Sequence, residues 1–278
     1  MILSSAEQNK TVSPFLKWAG GKRWLVNSAK SLFPEKLNKY FEPFLGSAAV
    51  YFALKPQYAV LSDVNAELIE CYAAIKNDWQ AVERLVNVHH QQHSKEYYYQ
   101  VRSIRPETPA ARAARFIYLN RTCWNGLYRV NLKGQFNVPI GTKKNAVLDT
   151  DNFEGVSKLL KNVELVSQDF EEVIDQAKTG DFIFADPPYT VKHNFNGFVK
   201  YNETMFHWDD QVRLSESIKR ASARGCLVMV TNANHPSVRE LYEDCFTILP
   251  IERSSVIAAS SANRGIYQEI IIRNYSRN

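Results

Sequence analysis

Residues 181–189 read Asp-Phe-Ile-Phe-Ala-Asp-Pro-Pro-Tyr, and this stretch decides the predicted fold. The apolar run predicts a buried strand, and two consecutive prolines end it in a rigid turn because proline continues neither a strand nor a helix. The turn brings together an acid (Asp186), backbone carbonyls and an aromatic ring (Tyr189). An exocyclic amine needs acceptors for its N–H groups and a flat ring on which its base can stack. The alternative interpretation is a strand-terminating turn with a buried tyrosine.

A second pattern lies between residues 40 and 63. A short strand ends in a tight turn at Gly46, and a second strand at 58–62 ends in Asp63. Nucleotide-binding α/β folds place a close-approach glycine after the first strand and an acid after the second, where it binds ribose hydroxyls. The sequence has no complete G-x-G-x-x-G, which disfavours a pyrophosphate and therefore a dinucleotide. A nucleoside cofactor without phosphates fits better, and S-adenosylmethionine (AdoMet) is the candidate.

The alternation of strand and helix patterns predicts a doubly wound α/β sheet of seven strands. The last two predicted strands have no helix between them and should pair antiparallel. Residues 66–152 interrupt the alternation with helical patterns, followed by turns at Asn125-Gly126 and Lys133-Gly134 that predict a projecting β-hairpin. We therefore expect a catalytic domain in two parts, 1–65 and 153–278, around an inserted recognition domain at 66–152. The predicted strands are 40–44, 58–62, 164–168, 181–185, 226–231, 245–253 and 265–275.

The composition of the 278 residues excludes several classes of protein. With 45% hydrophobic residues and no low-complexity tract, the chain should fold around one large core. Its apolar runs are too short to span a bilayer and the first ten residues lack the features of a secretory signal, so no membrane partner is expected. The four cysteines have no C-x-x-C spacing, which predicts a reducing, cytoplasmic setting. His89 and His93 stand at helical spacing, but a solvated helix face is favoured over a metal site.

The net charge of +5 is unevenly distributed. Between residues 102 and 144 there are nine Lys or Arg and one acid, which leaves the remainder of the chain at −3. Such a density of positive charge predicts contact with phosphates. Aromatic, Asn and Gly residues interleave the charges at 120–144, whereas residues 102–115 fit an ordinary solvated basic helix equally well.

Six blocks of sequence resemble, in order, a DNA adenine-N6 methyltransferase of the Dam type. The resemblance implies an AdoMet-dependent enzyme that methylates adenine in double-stranded DNA, with GATC as its site. The blocks are Phe15-Leu-Lys-Trp-Ala-Gly-Gly-Lys22, Phe41-Glu-Pro-Phe-Leu-Gly46, Leu61-Ser-Asp-Val-Asn-Ala-Glu-Leu68, Asn120-Arg-Thr-Cys-Trp-Asn-Gly-Leu-Tyr-Arg129, Gly134-Gln-Phe-Asn-Val-Pro139 and Asp186-Pro-Pro-Tyr189.

The resemblance implies roles for three groups of residues. In the catalytic turn, Asp186 and the Pro187 carbonyl would accept from the adenine amine, and Tyr189, after Pro188, would stack on the flipped base. The cofactor-binding set is Trp18, Lys22, Phe44, Gly46, Asp63, Asp169, Phe170 and Asp186. The DNA-binding set is Lys17, Trp124, Asn125, Leu127, Arg129, Pro139, Lys143 and Lys144.

Within the DNA-binding set, Trp124 would fill the gap left by the flipped base and Asn125 would contact the orphaned partner. Arg129 would read guanine, while Leu127 and Pro139 would touch a thymine methyl. Enterobacterial members of the family carry an Arg where this chain has Thr142, so Lys143 or Lys144 would have to replace a phosphate contact. The loops at 190–207 and 254–264 would face the flipped base and the DNA backbone.

Three other functions compete with this interpretation. An RNA adenine-N6 methyltransferase would share the catalytic turn, and a non-catalytic DNA-binding protein would share the basic segment. A nicotinamide-linked dehydrogenase is disfavoured because the phosphate-binding loop is missing. A separately encoded restriction endonuclease is compatible with the enzyme but leaves no signal in this chain.

Overall fold

The computed structural model describes residues 11–131, 133–191, 206–254 and 266–276. The chain divides into two compact units. One unit consists of residues 1–28, 46–55 and 65–165, and the other of residues 29–45, 56–64 and 166–278. Each unit is therefore assembled from three separate stretches of sequence.

A seven-stranded sheet forms the framework, with the strand order β3-β2-β1-β4-β5-β7-β6. Strand β1 pairs in parallel with β2 and with β4, and β4 pairs in parallel with β5. Strand β7 runs antiparallel between β5 and β6. The predicted α/β fold class and the predicted antiparallel pairing of the last two strands are confirmed. The strands are β1 (Tyr40–Glu42), β2 (Ala59–Ser62), β3 (Val163–Val166), β4 (Phe182–Ala185), β5 (Leu227–Ala233), β6 (Thr247–Ser254) and β7 (Ile266–Arg273).

Nine α-helices occur in the described ranges, and several begin at side-chain caps that the sequence supplies. The Asn65 side chain accepts from the Leu68 amide and the Asp169 side chain from the Glu171 amide, which satisfies donors that a helix start leaves open. None of the helices in these ranges is long and apolar enough to cross a membrane. The helices are α1 (Arg23–Ser28), α2 (Ala49–Leu54), α3 (Ala66–Gln91), α4 (Lys95–Ser103), α5 (Pro109–Thr122), α6 (Phe153–Leu160), α7 (Phe170–Asp175), α8 (Trp208–Ala223) and α9 (Pro236–Glu240).

In the unit that contains β4, the core is formed by strands of the sheet together with α7, α8 and α9. Apolar side chains of β1, β4, β5 and β7 pack with those of α7, α8 and α9, and Phe182, Ile183, Phe184 and Ala185 are all buried. Burial of every residue of β4 matches its continuous apolar sequence, which is typical of a central parallel strand. The strand therefore holds the turn that follows it in a fixed place.

In the other unit, α3 and α5 make the most extensive helix pairing. Helix α3 is interrupted at Asp78, whose dihedrals are non-helical (φ −151°, ψ 69°). The Asp78 side chain accepts from the Ala81 amide at 3.0 Å, so it restarts the helix after the kink. A smaller core joins α4 and α5 to Phe136 and Val138.

Candidate active site

In the unit that contains β4, the candidate site residues lie where parallel strands end. Strand order reverses between β1 and β4, and in open α/β sheets ligands bind at such a reversal, outside the carboxyl ends of the strands. Phe44 follows β1, Asp63 follows β2 and Asp186 follows β4. Because these three strands are parallel, the three residues share one edge of the sheet.

Buried polar groups hold the turn at residues 186–189. The Thr231 hydroxyl, on β5, donates to Oδ1 of Asp186 at 2.6 Å. The Gln211 amide, on α8, donates to the Pro188 carbonyl at 3.1 Å and accepts from Asn232 at 3.0 Å. Charge-assisted bonds to a carboxylate are the stronger kind, so the Thr231 contact should fix the orientation of Asp186.

The hydroxyl of Tyr189 reaches into the sheet. It donates to Oε2 of Glu269 at 2.9 Å, and Glu269 is buried on β7. Burial raises the pKa of Tyr189 well above its usual value, and the nearby carboxylates of Asp186 and Glu269 raise it further. Tyr189 is therefore a neutral hydrogen-bond donor at physiological pH rather than a base.

The predicted cofactor residues Phe44 and Phe170 form an aromatic pair with ring centroids 5.4 Å apart. Asp169 caps α7 and also binds Arg213 through both carboxylate oxygens, at 2.8 Å and 2.9 Å. The Arg213 guanidinium also lies 4.3 Å from the Phe170 ring centroid. Asp63 is half-buried at the end of β2. Asp63 suits a ribose and the aromatic pair suits a base, although Phe170 already contacts Phe44 and Arg213.

The remaining cofactor candidates, Trp18, Lys22 and Gly46, lie in the other unit. Gly46 has φ +47°, and a Cβ atom there would stand 2.7 Å from Cδ1 of Trp18. Trp18 also stacks on Tyr128, with ring centroids 5.8 Å apart. Lys22 is buried rather than on the surface, and its ammonium donates to the Gly20 carbonyl. The structure thus brings Trp18 and Gly46 into direct contact.

Trp124, the residue predicted to fill the gap left by the flipped base, lies on an exposed turn. Trp124 is 52% exposed and Leu127 is 39% exposed, whereas Gly126 between them is buried. A Cβ atom on Gly126 would stand 2.7 Å from the Lys17 side chain, so Lys17 packs directly against this turn. Partial burial lowers the pKa of Lys17, and repulsion from Lys143 and Arg121 adds to the shift. Lys17 therefore joins the candidate DNA-binding residues around Trp124.

Backbone bonds connect this turn to the segment at residues 137–141. The Trp124 amide donates to the Pro139 carbonyl at 2.9 Å, and the Asn137 amide donates to the Arg129 carbonyl at 3.1 Å. The Arg129 guanidinium is exposed and bonds to the Asn137 side chain at 2.8 Å. The other exposed members of the predicted DNA-binding set are Asn125, Pro139, Lys143 and Lys144, with Thr142 beside them.

The predicted β-hairpin is only partly correct. Residues 124–126 form one turn of 3₁₀ helix, with Asn125 in the left-handed region at φ +54°. In the described part of this segment, antiparallel pairing consists of isolated bridges, Cys123 with Ile140 and Val130 with Phe136. The turn at Gly134 is confirmed by its φ of +72° and by its bond to Asn131. The Asn131 side chain accepts from the Lys133 and Gln135 amides there, and the Asn131 amide donates to the Gln135 carbonyl.

The count of nine basic residues overstates the charge that is available to phosphates. Arg121 is 1% exposed and binds both oxygens of Asp151, while Arg115 is buried and donates to backbone carbonyls at Val101 and Arg102. These two arginines are buried and bonded within the fold, so their charges are not available to phosphates. The two loops that were predicted at 190–207 and 254–264 lie almost entirely outside the described residues.

The histidines at 89–93 are half-buried at the end of α3, among neighbouring residues that are exposed. His89 bonds to the Tyr97 hydroxyl at 2.7 Å, and His93 bonds to the Tyr118 hydroxyl at 2.9 Å. Burial lowers the pKa of His89 to about 4, with repulsion from Arg115 as a second cause. Among the described residues, no group of three or more His, Cys, Asp or Glu side chains could hold a metal ion.

Four polar residues at the site were not predicted from the sequence: Thr231, Glu269, Gln211 and Arg213. Two of them do leave a local signal. Thr231 ends the apolar run at 226–230, and Glu269 is a single acid before the apolar run at 270–272. A polar residue in a buried strand needs a partner, so each position was a candidate for a bond to the site. Gln211 and Arg213 lie on a helix, where they resemble ordinary surface residues.

Comparison with known proteins gives consistent matches along the chain. A family model described as D12 class N6 adenine-specific DNA methyltransferase matches residues 18–257. The type II methyltransferase M1.LlaDCHI of Lactococcus lactis subsp. cremoris is 42% identical, over 97% of this chain and 98% of the relative. The type II methyltransferase M.MjaIII of Methanocaldococcus jannaschii is 38% identical, over 95% and 99%. A DNA adenine methylase of Vibrio cholerae is 29% identical, over 92% and 94%.

Proposed function

This chain belongs to the D12 class N6 adenine-specific DNA methyltransferases and is a site-specific DNA adenine methyltransferase; we propose that its methyl donor is AdoMet and its site is GATC. The target is an adenine flipped out of double-stranded DNA. The main support is the turn of Asp186 and Tyr189, which follows β4 where the strand order reverses. A cytoplasmic setting fits the cysteine pattern.

The proposed mechanism assigns the catalytic turn to orientation of the substrate amine. Adenine N6 is a weak nucleophile because its lone pair is delocalised into the ring. Bonds from its two N–H groups to the Asp186 carboxylate and the Pro187 carbonyl would draw the nitrogen toward sp³ geometry and free the lone pair. Asp186 acts as an orienting acceptor, and the proton leaves after the amine has become cationic. Tyr189 stacks on the base and contributes roughly 1–3 kcal/mol.

The cofactor-binding role rests on the chemistry of the residues present. When bound, AdoMet supplies an electrophilic methyl group on a sulfonium. Asp63 would accept from ribose hydroxyls, and Phe44 and Gly46 would shape the wall near the methionine part. Trp18 and Lys22 would bind the methionine end, while Asp169 and Phe170 would contact the adenine.

The DNA-binding role rests on exposure and charge. Trp124 and Leu127 are exposed apolar side chains beside the exposed cations Arg129, Lys143 and Lys144. Three large exposed apolar side chains, Trp124, Leu127 and Val130, lie within seven positions, and this clustering supports an interaction site. Trp124 would fill the gap in the duplex with Asn125 at the orphaned base. Arg129, Leu127, Pro139 and Lys17 would read the sequence, each discriminating by about 1–3 kcal/mol.

Methylation of defined duplexes tests this function. Purified protein, radiolabelled AdoMet and duplexes carrying one GATC site, or that site with a single base pair changed, should give transfer to the intact site alone. A plasmid methylated in this way should resist a nuclease that cuts only unmethylated GATC. Transfer to all duplexes alike, or none to GATC, would show that the proposed site is wrong.

Two further measurements test the residue assignments. Asp186→Ala should abolish transfer, and Asp63→Ala should abolish AdoMet binding measured by calorimetry. Full activity of Asp186→Ala would overturn the catalytic assignment. Competition by structured RNA that exceeds competition by duplex DNA would instead favour an RNA substrate.

A further inference from the structure

Two hydrogen bonds anchor the side chains of the catalytic turn to neighbouring strands of the sheet. The Thr231 hydroxyl donates to Asp186 Oδ1 at 2.6 Å. The Tyr189 hydroxyl donates to Glu269 Oε2 at 2.9 Å. Both functional side chains of the turn are therefore held by a buried residue of the sheet, Asp186 by Thr231 and Tyr189 by Glu269.

The sheet brings the two supporting residues, Thr231 and Glu269, close together. Strands β5 and β7 are hydrogen-bonded neighbours, in a register that pairs Thr231 with Ile271 and Ala233 with Glu269. Thr231 is 1% exposed and Glu269 is 6% exposed, on strands whose apolar residues Val228, Val230, Ile270 and Ile272 are also buried. Burying a hydroxyl and a carboxylate is unfavourable unless both are bonded, and apolar residues would fill these positions at lower cost. Their burial therefore indicates a role beyond packing.

We propose that Thr231 and Glu269 are positioning residues for methyl transfer, which fix the Asp186 carboxylate and the Tyr189 ring against the substrate adenine. This inference rests on the proposed catalytic roles of Asp186 and Tyr189. A carboxylate rotates broadly about its last torsion, and the Thr231 bond restricts that rotation. The Glu269 bond holds the far end of the Tyr189 ring, so the stacking face keeps one direction.

The physical need for such supports follows from the reaction. Transfer in line requires the amine to be held to within a fraction of an ångström, and a small displacement lowers the rate severely. The turn itself is short and contains two prolines. The prolines fix the backbone but place no restraint on the Asp186 and Tyr189 side chains, which therefore need other contacts to orient them. Gln211 supports the backbone separately through the Pro188 carbonyl.

The test measures single-turnover methyl transfer on a GATC duplex with saturating enzyme and AdoMet. Thr231→Val removes the hydroxyl and keeps the branched shape, and we expect the rate constant to fall roughly ten- to hundredfold. The dissociation constants for AdoMet and DNA should change by less than about twofold, because Thr231 orients a bound substrate instead of binding it. Thr231→Ser should recover most of the rate.

Glu269 is tested by a matched pair of variants. Glu269→Gln keeps an acceptor for the Tyr189 hydroxyl and should stay within about threefold of the parent, whereas Glu269→Ala should lose roughly tenfold or more. Ser215→Ala is the control, since its buried hydroxyl bonds to the Val212 carbonyl of its own helix. Urea unfolding of each variant separates loss of rate from loss of fold.

The outcomes separate this inference from the proposed function. A parental rate for Thr231→Val, or equal losses for Thr231→Ser and Thr231→Val, would overturn the positioning role. Equal losses for Glu269→Gln and Glu269→Ala would do the same for Glu269. If Asp186→Ala, assayed in parallel, transfers at the parental rate, the catalytic assignment itself fails; if it is inactive while Thr231→Val is parental, only the positioning role fails.

Discussion

Arg213 binds Asp169 through two parallel contacts, with Nη1 2.8 Å from Oδ1 and Nη2 2.9 Å from Oδ2. A bidentate pair of this kind fixes the plane of the carboxylate as well as its position. The bonds to Asp169 and then to Asp210 raise the pKa of Arg213 above its usual range, and the guanidinium also contacts Glu171 at 3.3 Å. Asp169 is thus presented in one orientation at the start of α7.

We expect Arg213→Met to weaken AdoMet binding about three- to tenfold, because Asp169 would lose the partner that orients it. The change keeps a long apolar side chain near Phe170. Arg220→Met is the matched control, since Arg220 lies on the same helix and pairs with Glu171 and Asp175. Titration calorimetry gives both dissociation constants. Equal affinities for the two variants would exclude a role of Arg213 at the cofactor site.

We expect Gly46→Ala to lower the free energy of unfolding by about 1–3 kcal/mol more than Gly134→Ala does. Both glycines have positive φ, +47° and +72°, so both substitutions carry backbone strain. Only at Gly46 would the new Cβ meet another side chain, Cδ1 of Trp18 at 2.7 Å, whereas nothing lies within 4 Å at Gly134. Urea unfolding measures the difference. Similar losses would mean that Trp18 moves aside without penalty.

We expect Trp124→Ala to change the free energy of unfolding by less than about 0.5 kcal/mol, because the side chain is half-exposed. Its methylation rate on a fully paired duplex should nevertheless fall, since nothing would fill the gap left by the flipped base. A mismatch opposite the target adenine lowers the energy of flipping, so the defect should shrink on such a duplex. Val130→Ala, at another exposed apolar residue of the same segment, is the control. A defect of equal size on both duplexes would contradict the plug role.

We expect stability to decline as the pH falls, in part because of His89. Burial holds the pKa of this imidazole at about 4 in the folded protein, whereas the unfolded value is about 6.5. The unfolded chain therefore takes up the proton first, and stability is lost between these two values as the pH falls. Because the ring is only half-buried, the loss should be roughly 1–2 kcal/mol.

Urea unfolding between pH 7 and pH 4 measures this effect as the slope of the free energy of unfolding against pH. His89→Asn should flatten the slope, because the titrating ring is gone. His207→Asn is the control, since His207 is exposed at the start of α8 and asparagine also caps helices well. A slope that His89→Asn leaves unchanged would assign the acid sensitivity to other groups.

The sequence was sufficient where the signal is local. The apolar run before Asp186 predicted β4 and its proline turn, because neighbouring residues alone determine both the buried strand and the point where it ends. The pairing of β6 with β7 followed from the missing helix between them. The order of the strands did not follow, since it depends on which crossovers pack best over the whole sheet.

The sequence was insufficient where a partner is distant. Arg121 looked like a phosphate-binding cation, but its charge is matched by Asp151, 30 residues away. Asn125-Gly126 looked like a hairpin turn, yet the bond from the Trp124 amide to the Pro139 carbonyl favours a 3₁₀ turn there. In both cases a tertiary contact outweighs a local preference.

Helix α5 is completed by residues about a hundred positions earlier in the chain. The Asn120 side chain accepts from the Lys17 amide and donates to the Lys17 carbonyl, and the Arg121 guanidinium donates to the Phe15 carbonyl. Exchange of residues 66–152 between related enzymes, as a cassette to alter specificity, would break these bonds. A working chimaera must therefore transplant the stretch around Phe15 and Lys17 together with the helices that depend on it.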